Sequence, residues 1–535
     1  MKKQNFLKGS IILMLSAIIA KALGAFFKIP LTNILGGVGM SYFSSAYSLF
    51  MPLYALTTTG LSSAVARMTA QSSAFGMYKN IKKIRRTAHI IFSLAGLAGS
   101  FVIFFLAKPF IKYSAGNTDG YLAAAMISPA VLFGCITAVE RGYYEGMSNM
   151  YPTALSQAVE GIVKVTAGLW LCGYVSGNSG YFLSVFPDIK DIRALSAAAG
   201  ILGVTLSSLG AVVFFMVLSF FRTKIPENQE EKILTFSEIS SALVKNALPT
   251  GISAVVTNLT ALIDMWTVIG CISKYSHNNI PVGISEQEFP QFVYGSFAGI
   301  ALTVFNLVPS VTNMLGKGIL PVITHAWENK DKKALNSGTS QALFTALFIA
   351  VPSAFGITVL SEHILNFLFS RQADEAFVCV MPLKILMLGM VFLCLSFPVF
   401  SMLQAIGKAA VPMKIMLVGT AVKLVGNLAL IPLTGINGAA WSTSLCYAVI
   451  FTISIFIYFR HADIHLETAP FISVLYSGLM CGGAAWLAED ISSRNNASPL
   501  LTIAVATISG GVFYIISILL SNGKFLKIKT FAENQ

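Results

Sequence analysis

Apolar residues run through this chain in long blocks, without the strict alternation of half-buried strands or the narrow stripe of soluble amphipathic helices. Fourteen blocks stand out, at about 9–34, 42–69, 87–107, 120–140, 152–175, 196–221, 239–271, 292–314, 341–360, 378–403, 412–432, 436–459, 470–488 and 499–521. A helix of about 20 apolar residues crosses a ~30 Å hydrocarbon layer. Within that layer a helix satisfies every backbone N–H and C=O inside one segment. The blocks starting at Ile90, Ala197 and Ile503 are the strongest, whereas the second and seventh are long and interrupted by Gly and polar residues. The pattern predicts an all-α polytopic membrane protein of about 14 transmembrane helices.

Composition removes the soluble alternative. Of 535 residues, 55% are hydrophobic and 11% charged, and the mean hydropathy is +0.73. Soluble domains average about 25% charged residues. No polar stretch exceeds about 30 residues, so no soluble catalytic or nucleotide-binding domain is expected. Gly316-Lys317-Gly318 has neither the spacing nor the hydroxyl of a phosphate-binding loop, so ATP is not an expected partner. Cys135, Cys172, Cys271, Cys379, Cys394, Cys446 and Cys481 are scattered through apolar blocks and read as packing residues. Lys2-Lys3 before an apolar run imitates a signal peptide, but the run carries Lys21 and passes Pro30, which makes it the first membrane helix.

Net charge is +13, from 36 Lys+Arg against 23 Asp+Glu. In a soluble chain this would suggest nucleic acid; here the cations sit mainly in short loops. With both termini cytoplasmic, the inner loops and ends hold 22 of the 36 cations, including Lys79–Arg86, Arg222 to Lys232 and Lys330–Lys333, and the outer loops hold 7. That bias supports the even span count and places both ends inside.

Two stretches echo each other along the chain. Pro152 and the helix carrying Glu160 and Lys164 correspond to Pro412 and the helix carrying Lys423 and Asn427, 260 residues later. Pro52 with Gly60–Arg67 corresponds to Pro309 with Gly318–His325, about 257 residues later. Offsets spanning six helices predict parallel halves related by an axis along the membrane normal. The expected division is an N-lobe at 1–225, a C-lobe at 226–465, and two further helices with a tail at 466–535.

Charges inside membrane helices each cost about 2.5–3.5 kcal/mol on insertion scales and therefore mark candidate chemistry. Lys21 and Lys28 lie seven residues apart on one face of the first span, where two cations favour an anionic ligand; snorkelling to the outer interface is the alternative for Lys28. Glu160 and Lys164 form an i,i+4 pair, either self-neutralised or in contact with substrate. Lys423 precedes Asn427 by one turn, and Arg67 lies at the inner end of the second span, where it either anchors the interface or meets substrate. Lys245 and Lys384 read as interfacial. Asp264 is the single acid deep in the second half; with Asn427 and Thr443 it forms an oxygen set suited to Na⁺ or to a proton, with pairing to a lysine as the rival. The loop Arg460–His465 reads as a polar inner loop rather than a metal site, and no catalytic constellation stands out.

Arg141-Gly142-Tyr143-Tyr144-Glu145-Gly146, followed by Met150 to Gln157 and Glu160, resembles the stage V sporulation protein B group. That group belongs with the MurJ-like lipid II flippases and polysaccharide exporters of the multidrug/oligosaccharidyl-lipid/polysaccharide superfamily. Gly407-Lys408, Pro412, Lys423, Asn427, Leu430-Ile431-Pro432 and Gly438-Ala439-Ala440 are similar to the same superfamily. The resemblance covers about 1–525. It implies a fourteen-helix transporter in the bacterial cell membrane that moves a lipid-linked sugar to the outer leaflet, with Lys21 and Lys28 facing the pyrophosphate. It also implies sodium at a seventh-helix Asp and an eleventh-helix Asn, matched by Asp264 and Asn427; one turn after Asn427 this chain has Ile431. The second-helix arginine of the lipid II flippases has no equivalent in Ala55–Gly60, with Arg67 only later.

The expected function is a flippase for an undecaprenyl-pyrophosphate-linked glycan, with another lipid-linked polysaccharide as the alternative substrate and cell-wall synthesis enzymes as candidate partners. A multidrug antiporter of the same superfamily is disfavoured, because organic cations need an acidic cavity and the first span carries lysines. A membrane glycosyl- or acyltransferase would need clustered acids or a histidine in a sizeable loop.

Overall fold

The computed structural model describes residues 6–115, 119–220, 234–275, 280–464, 466, 468–495 and 497–521. Lys2, Lys3, Arg222, Lys224, Lys232, Lys524, Lys527, Lys529 and His465, all used in the sequence reading, lie outside the described residues. The described residues contain no strand. The helices are α1 (Phe6–Ala74), α2 (Tyr78–Ala115), α3 (Tyr121–Ile127), α4 (Pro129–Gly146), α5 (Tyr151–Gly177), α6 (Ser179–Val185), α7 (Ile192–Phe220), α8 (Phe236–Tyr275) and α9 (Phe289–Ser296). After a π-helical turn at Phe297–Ala301 come α10 (Leu302–Phe305), α11 (Leu307–Glu328), α12 (Lys332–Leu368), α13 (Ala373–Ala405), α14 (Val411–Thr434), α15 (Ile436–Ala462), α16 (Ala469–Arg494) and α17 (Pro499–Ser521).

At 69 residues, α1 would be about 100 Å long if straight, three times the hydrocarbon thickness. It breaks at Gly36, whose φ of 64° and ψ of −175° lie in a region that residues with a Cβ avoid. Residues 6–35 and 37–74 are therefore two passes. Twelve helices have the length and apolarity to cross a membrane, and the pair Phe289–Phe305 and Leu307–Glu328, bent by 47°, adds another. With α1 counted as two, the described residues hold the fourteen passes that the hydropathy pattern predicts.

The boundaries differ where hydropathy is a poor guide. The expected loop between the first two spans shrinks to one non-helical residue, Gly36. The eighth span, expected as a single segment at 292–314, is α9, the π-helical turn, α10 and α11 in succession. The ninth, expected at 341–360, extends over Lys332–Leu368, because the helix continues into its polar ends. Asp331 caps it, its side chain accepting a hydrogen bond from the Ala334 N–H.

The chain divides into two compact units, Met1–Gly299 and Ile300–Gln535. In the first, α1 packs against α4, α5, α8 and α9, and α5 packs along α7. One end of this unit, here called the basic-loop end, carries the turns at 75–77 and 147–150. A core of Leu61, Val65, Ile81, Ile84, Val139 and Leu243 lies toward that end. At the Gly36 end, α9 meets α1 so closely that a Cβ on Gly295 would sit 1.7 Å from the Gly37 carbonyl oxygen, so only glycine fits.

In the second unit α13 packs on α11, α12 and α15, and α14 packs on α15. The pair α16 and α17 leans on α12. Tyr458 OH meets Thr339 Oγ1 at 2.8 Å, and Tyr514 OH donates to the Phe348 carbonyl at 3.0 Å. A cavity of about 630 Å³ opens among α12, α13, α15 and α16. Its walls are apolar except for Thr358 and Lys384. Pro152 and Pro412 occupy the first turns of α5 and α14, where proline's missing N–H costs nothing.

Candidate functional site: paired lysines in the first unit

Lys164 stands at the middle of α5, 13 residues from Tyr151 and 13 from Gly177, roughly 20 Å from either end. Its ammonium donates to Tyr47 OH at 2.9 Å and lies 5.2 Å from the ring centroids of both Phe27 and Tyr47. Cation–π contact partly replaces the hydration lost at that depth. Tyr47 belongs to an aromatic ladder on α1, stacked on Phe43 at 5.4 Å and followed by Phe50 and Tyr54. Residues 43, 47, 50 and 54 repeat at helical spacing, so the ladder occupies one face.

Lys28 belongs to the other arm of α1. Its ammonium donates to the Ala298 carbonyl at 2.7 Å, within the π-helical turn. Snorkelling, the alternative reading of the sequence, is not what the structure shows: Lys28 turns into the unit. The Lys28 and Lys164 ammonium groups are near enough to interact electrostatically. Neither forms an ion pair with a carboxylate among the described residues. Lys21, two turns before Lys28, is exposed.

Glu160 does not neutralise Lys164. Its carboxylate accepts from Arg141 Nη2 at 2.8 Å, and Arg141 Nε donates to Ser156 Oγ at 2.9 Å. The guanidinium reaches across from α4 with a rigid donor fork that the i,i+4 lysine cannot match. One turn along α5, the acid is thus spoken for and the lysine is left with neutral partners. Arg67, exposed toward the basic-loop end of α1, donates to Asn246 Oδ1 at 3.3 Å.

Asp264, 3% exposed, sits on α8 with Tyr294 near it, and Tyr294 OH lies 3.3 Å from Ser48 Oγ. In the second unit, Lys423 and Asn427 are 3% and 0% exposed on adjacent turns of α14, beside α15. Ser442 donates to the Lys423 carbonyl at 2.9 Å. Thr443 donates its proton to Ala439 at 2.8 Å, which leaves oxygen lone pairs as its remaining capacity. Asp264 therefore belongs to the first unit, and Asn427 and Thr443 to the second. No group of three or more His, Cys, Asp or Glu side chains suited to a metal occurs among the described residues.

Two charged clusters escaped the sequence reading. Glu140, 4% exposed, accepts from Arg85 Nε at 2.9 Å and lies 2.7 Å from His89 Nε2, riveting α2 to α4. At the Gly36 end, Arg193 pairs with Asp191 at 2.9 Å and with Glu288, while Tyr42 OH donates to Asp191 at 3.2 Å. Burial, and then the neighbouring Asp191 carboxylate, hold the Asp119 carboxyl above the usual range. An acid ending the apolar block at 140 was the available signal for the first cluster. In the second, Asp191 and Arg193 are two residues apart, but their ties to Tyr42 and Glu288 span 149 and 95 positions and left no local signal.

Apolar passes that carry part-buried lysines without carboxylate partners among the described residues fit the class of polytopic membrane transporters. The lipid II flippase MurJ family model matches residues 182–505, and the polysaccharide biosynthesis protein model matches residues 6–327. The chain belongs to the lipid II flippase MurJ family. It is 26% identical over 446 residues to stage V sporulation protein B of Bacillus subtilis, covering 82% of this chain and 81% of that protein. It is 25% identical over 485 residues to the lipid II flippase MurJ of the same organism, covering 86% and 83%. A solved structure of lipid II flippase MurJ in an inward closed conformation superposes with a TM-score of 0.68 at 16% identity, covering 97% of this chain and all of that one. The protein is thus a multi-pass transporter of the bacterial cytoplasmic membrane and not an enzyme, and its family moves lipid-linked precursors.

Proposed function

We propose that this protein flips lipid II, the undecaprenyl-pyrophosphate-linked peptidoglycan precursor, from the inner to the outer leaflet by alternating access. The observation that carries the reading is the Lys28–Lys164 pair, two cations at membrane depth whose hydrogen-bond partners are neutral. A pyrophosphate supplies the missing negative charge, and Lys21 and Arg67 extend the cationic face along α1 toward the basic-loop end. Another lipid-linked polysaccharide unit is the second reading, favoured by the polysaccharide biosynthesis match over residues 6–327. An organic-cation antiporter fits poorly, since Glu160 is engaged by Arg141.

An inside-negative potential of 100 mV favours outward movement of two negative charges by about 4–5 kcal/mol. Potential alone is then a sufficient drive for export. In this reading Asp264 carries Na⁺ or H⁺ for the return step, with Asn427, Thr443 and Lys423 serving the second unit's part of the cycle. Reconstituted protein is expected to flip fluorescent lipid II faster than a capsule-type repeat on the same carrier, with a dependence on Na⁺ or pH that Asp264→Asn abolishes. Equal rates for both lipids would remove the lipid II assignment, and an unaltered ion dependence would reduce Asp264 to a structural residue.

Both termini are proposed to be cytoplasmic, on the strength of the 22-to-7 distribution of cations. In a cysteine-free background, a cysteine at position 82 should resist an impermeant maleimide in intact cells, and one at position 184 should react. The opposite pattern would invert the topology.

A further inference from the structure

The π-helical turn Phe297–Ala301 lies between α9 and α10, and the division between the two units falls inside it, after Gly299. Such turns are rare, carry one residue more than an α-helical turn, and often mark places where a helix changes shape. Two side chains of α1 reach this one. Lys28 Nζ donates to the Ala298 carbonyl at 2.7 Å. Thr32 Oγ1 lies 3.5 Å from the Gly299 carbonyl while donating to the Lys28 carbonyl at 2.8 Å. A hydroxyl has one proton, and the shorter contact takes it. The strong bond into the turn is therefore the charged one.

That bond uses the ammonium assigned above to the substrate pyrophosphate. A phosphate oxygen brought to Lys28 places a second acceptor, carrying a full negative charge, beside the Ala298 carbonyl. The two acceptors repel each other, and the ammonium follows the stronger one on a flexible stem. Lys164 pulls in the same direction, because an anion bridging both ammonium groups also cancels their mutual repulsion. The Gly37–Gly295 contact and the Ser48–Tyr294 hydrogen bond also tie α9 to α1, before the turn and without Lys28, and within the turn Gly299 lies beside Met40 of α1.

We propose that Lys28 is an anion-released latch: its ammonium serves the Ala298 carbonyl and a phosphate-type anion in alternation, so that binding the anion frees the π-helical turn from α1. The proposal rests on the reading of Lys28 as a pyrophosphate ligand. It adds what that contact does, which is to report occupancy to the segment where one unit passes into the other. Binding and release are then linked with the reciprocity that any such coupling requires.

Hydrogen–deuterium exchange on the full chain in nanodiscs tests it, with undecaprenyl pyrophosphate in the bilayer as one probe and free inorganic pyrophosphate as the other. Amides of residues 297–305 in the wild type should exchange roughly tenfold faster with the lipid probe, the scale of one charge-assisted hydrogen bond. The same change with the free anion would identify phosphate alone as the trigger; a response to the lipid only would assign the release to the lipid-linked form. Lys28→Met should exchange fast without any probe and show no further response, and Lys28→Arg should restore it. If Lys28→Met fails to accumulate, Lys28→Gln runs the same comparison.

Probe affinity measured in parallel separates the two ideas. Weakened affinity in Lys28→Met with an unresponsive turn in the wild type overturns the latch and leaves the ligand assignment standing. Unchanged affinity in Lys28→Met overturns the ligand assignment and the latch with it.

Discussion

Lys164→Met is expected to lower flipping roughly tenfold to hundredfold while protein abundance holds or rises. A charge-assisted hydrogen bond to a phosphate contributes about 1.5–3 kcal/mol, and Lys164 is the cation at the centre of α5 with no competing carboxylate partner. Its contacts with Tyr47 and Phe27 soften the cost of holding a cation at that depth without cancelling its charge. Replacing it by an apolar side chain of similar length removes that cost, so lost activity would not be a folding defect. Lys164→Arg should keep part of the activity, since the charge remains but the planar fork does not reproduce the single bond to Tyr47. Tyr47→Phe retains the ring and removes only the hydroxyl acceptor, so a loss of a few-fold is expected. Growth of a strain depleted of its own lipid II flippases, read against membrane abundance of each variant, decides the matter. Normal growth with Lys164→Met would detach this lysine from the substrate.

The spans were legible because the bilayer imposes them: a segment must be apolar for about 20 residues or it does not cross. Breaks within spans were not. The Leu35-Gly36-Gly37-Val38-Gly39 stretch invites a loop, yet only Gly36 leaves helical geometry. The π-helical turn at Phe-Ala-Gly-Ile-Ala has no pattern that apolar periodicity detects. At the site, sequence flagged the residues that are costly in lipid and left their partners open. Lys28 and Lys164 stand 136 positions apart, and nothing local tells that they approach each other or that Tyr47 meets one of them. Helical spacing offered Lys164 as the partner of Glu160. The actual partner, Arg141, follows the apolar block that ends at 140 and so reads as a loop cation, but it stands five residues before the end of α4 and faces α5.

That ion pair carries the second large expected effect. Arg141→Gln and Glu160→Gln should each destabilise the protein by about 3 kcal/mol, the low end for breaking a buried pair. The low end applies because the two side chains remain 16% and 24% exposed. Each single variant leaves a charge at the α4–α5 contact without its counterion, and Arg141→Gln also removes the guanidinium from Ser156. The double variant Arg141→Gln/Glu160→Gln leaves no stranded charge, so it should recover most of the loss, and the double-mutant cycle should then show a coupling of about 5 kcal/mol, close to the sum of the two single losses. Thermal melting of detergent-purified protein measures all four species. If instead the losses add, the pair is not acting as a unit. If Glu160→Gln melts like the wild type yet flips poorly, Glu160 touches substrate and the Arg141 contact is secondary. The structural role is favoured by geometry: one guanidinium binds both Ser156 and Glu160 on successive turns of α5, and so fixes the register of the helix that carries Lys164. A shift of that register by one residue would turn Lys164 about 100° away from Tyr47 and Phe27. Flipping by the double variant should therefore stay below wild type even where its stability returns.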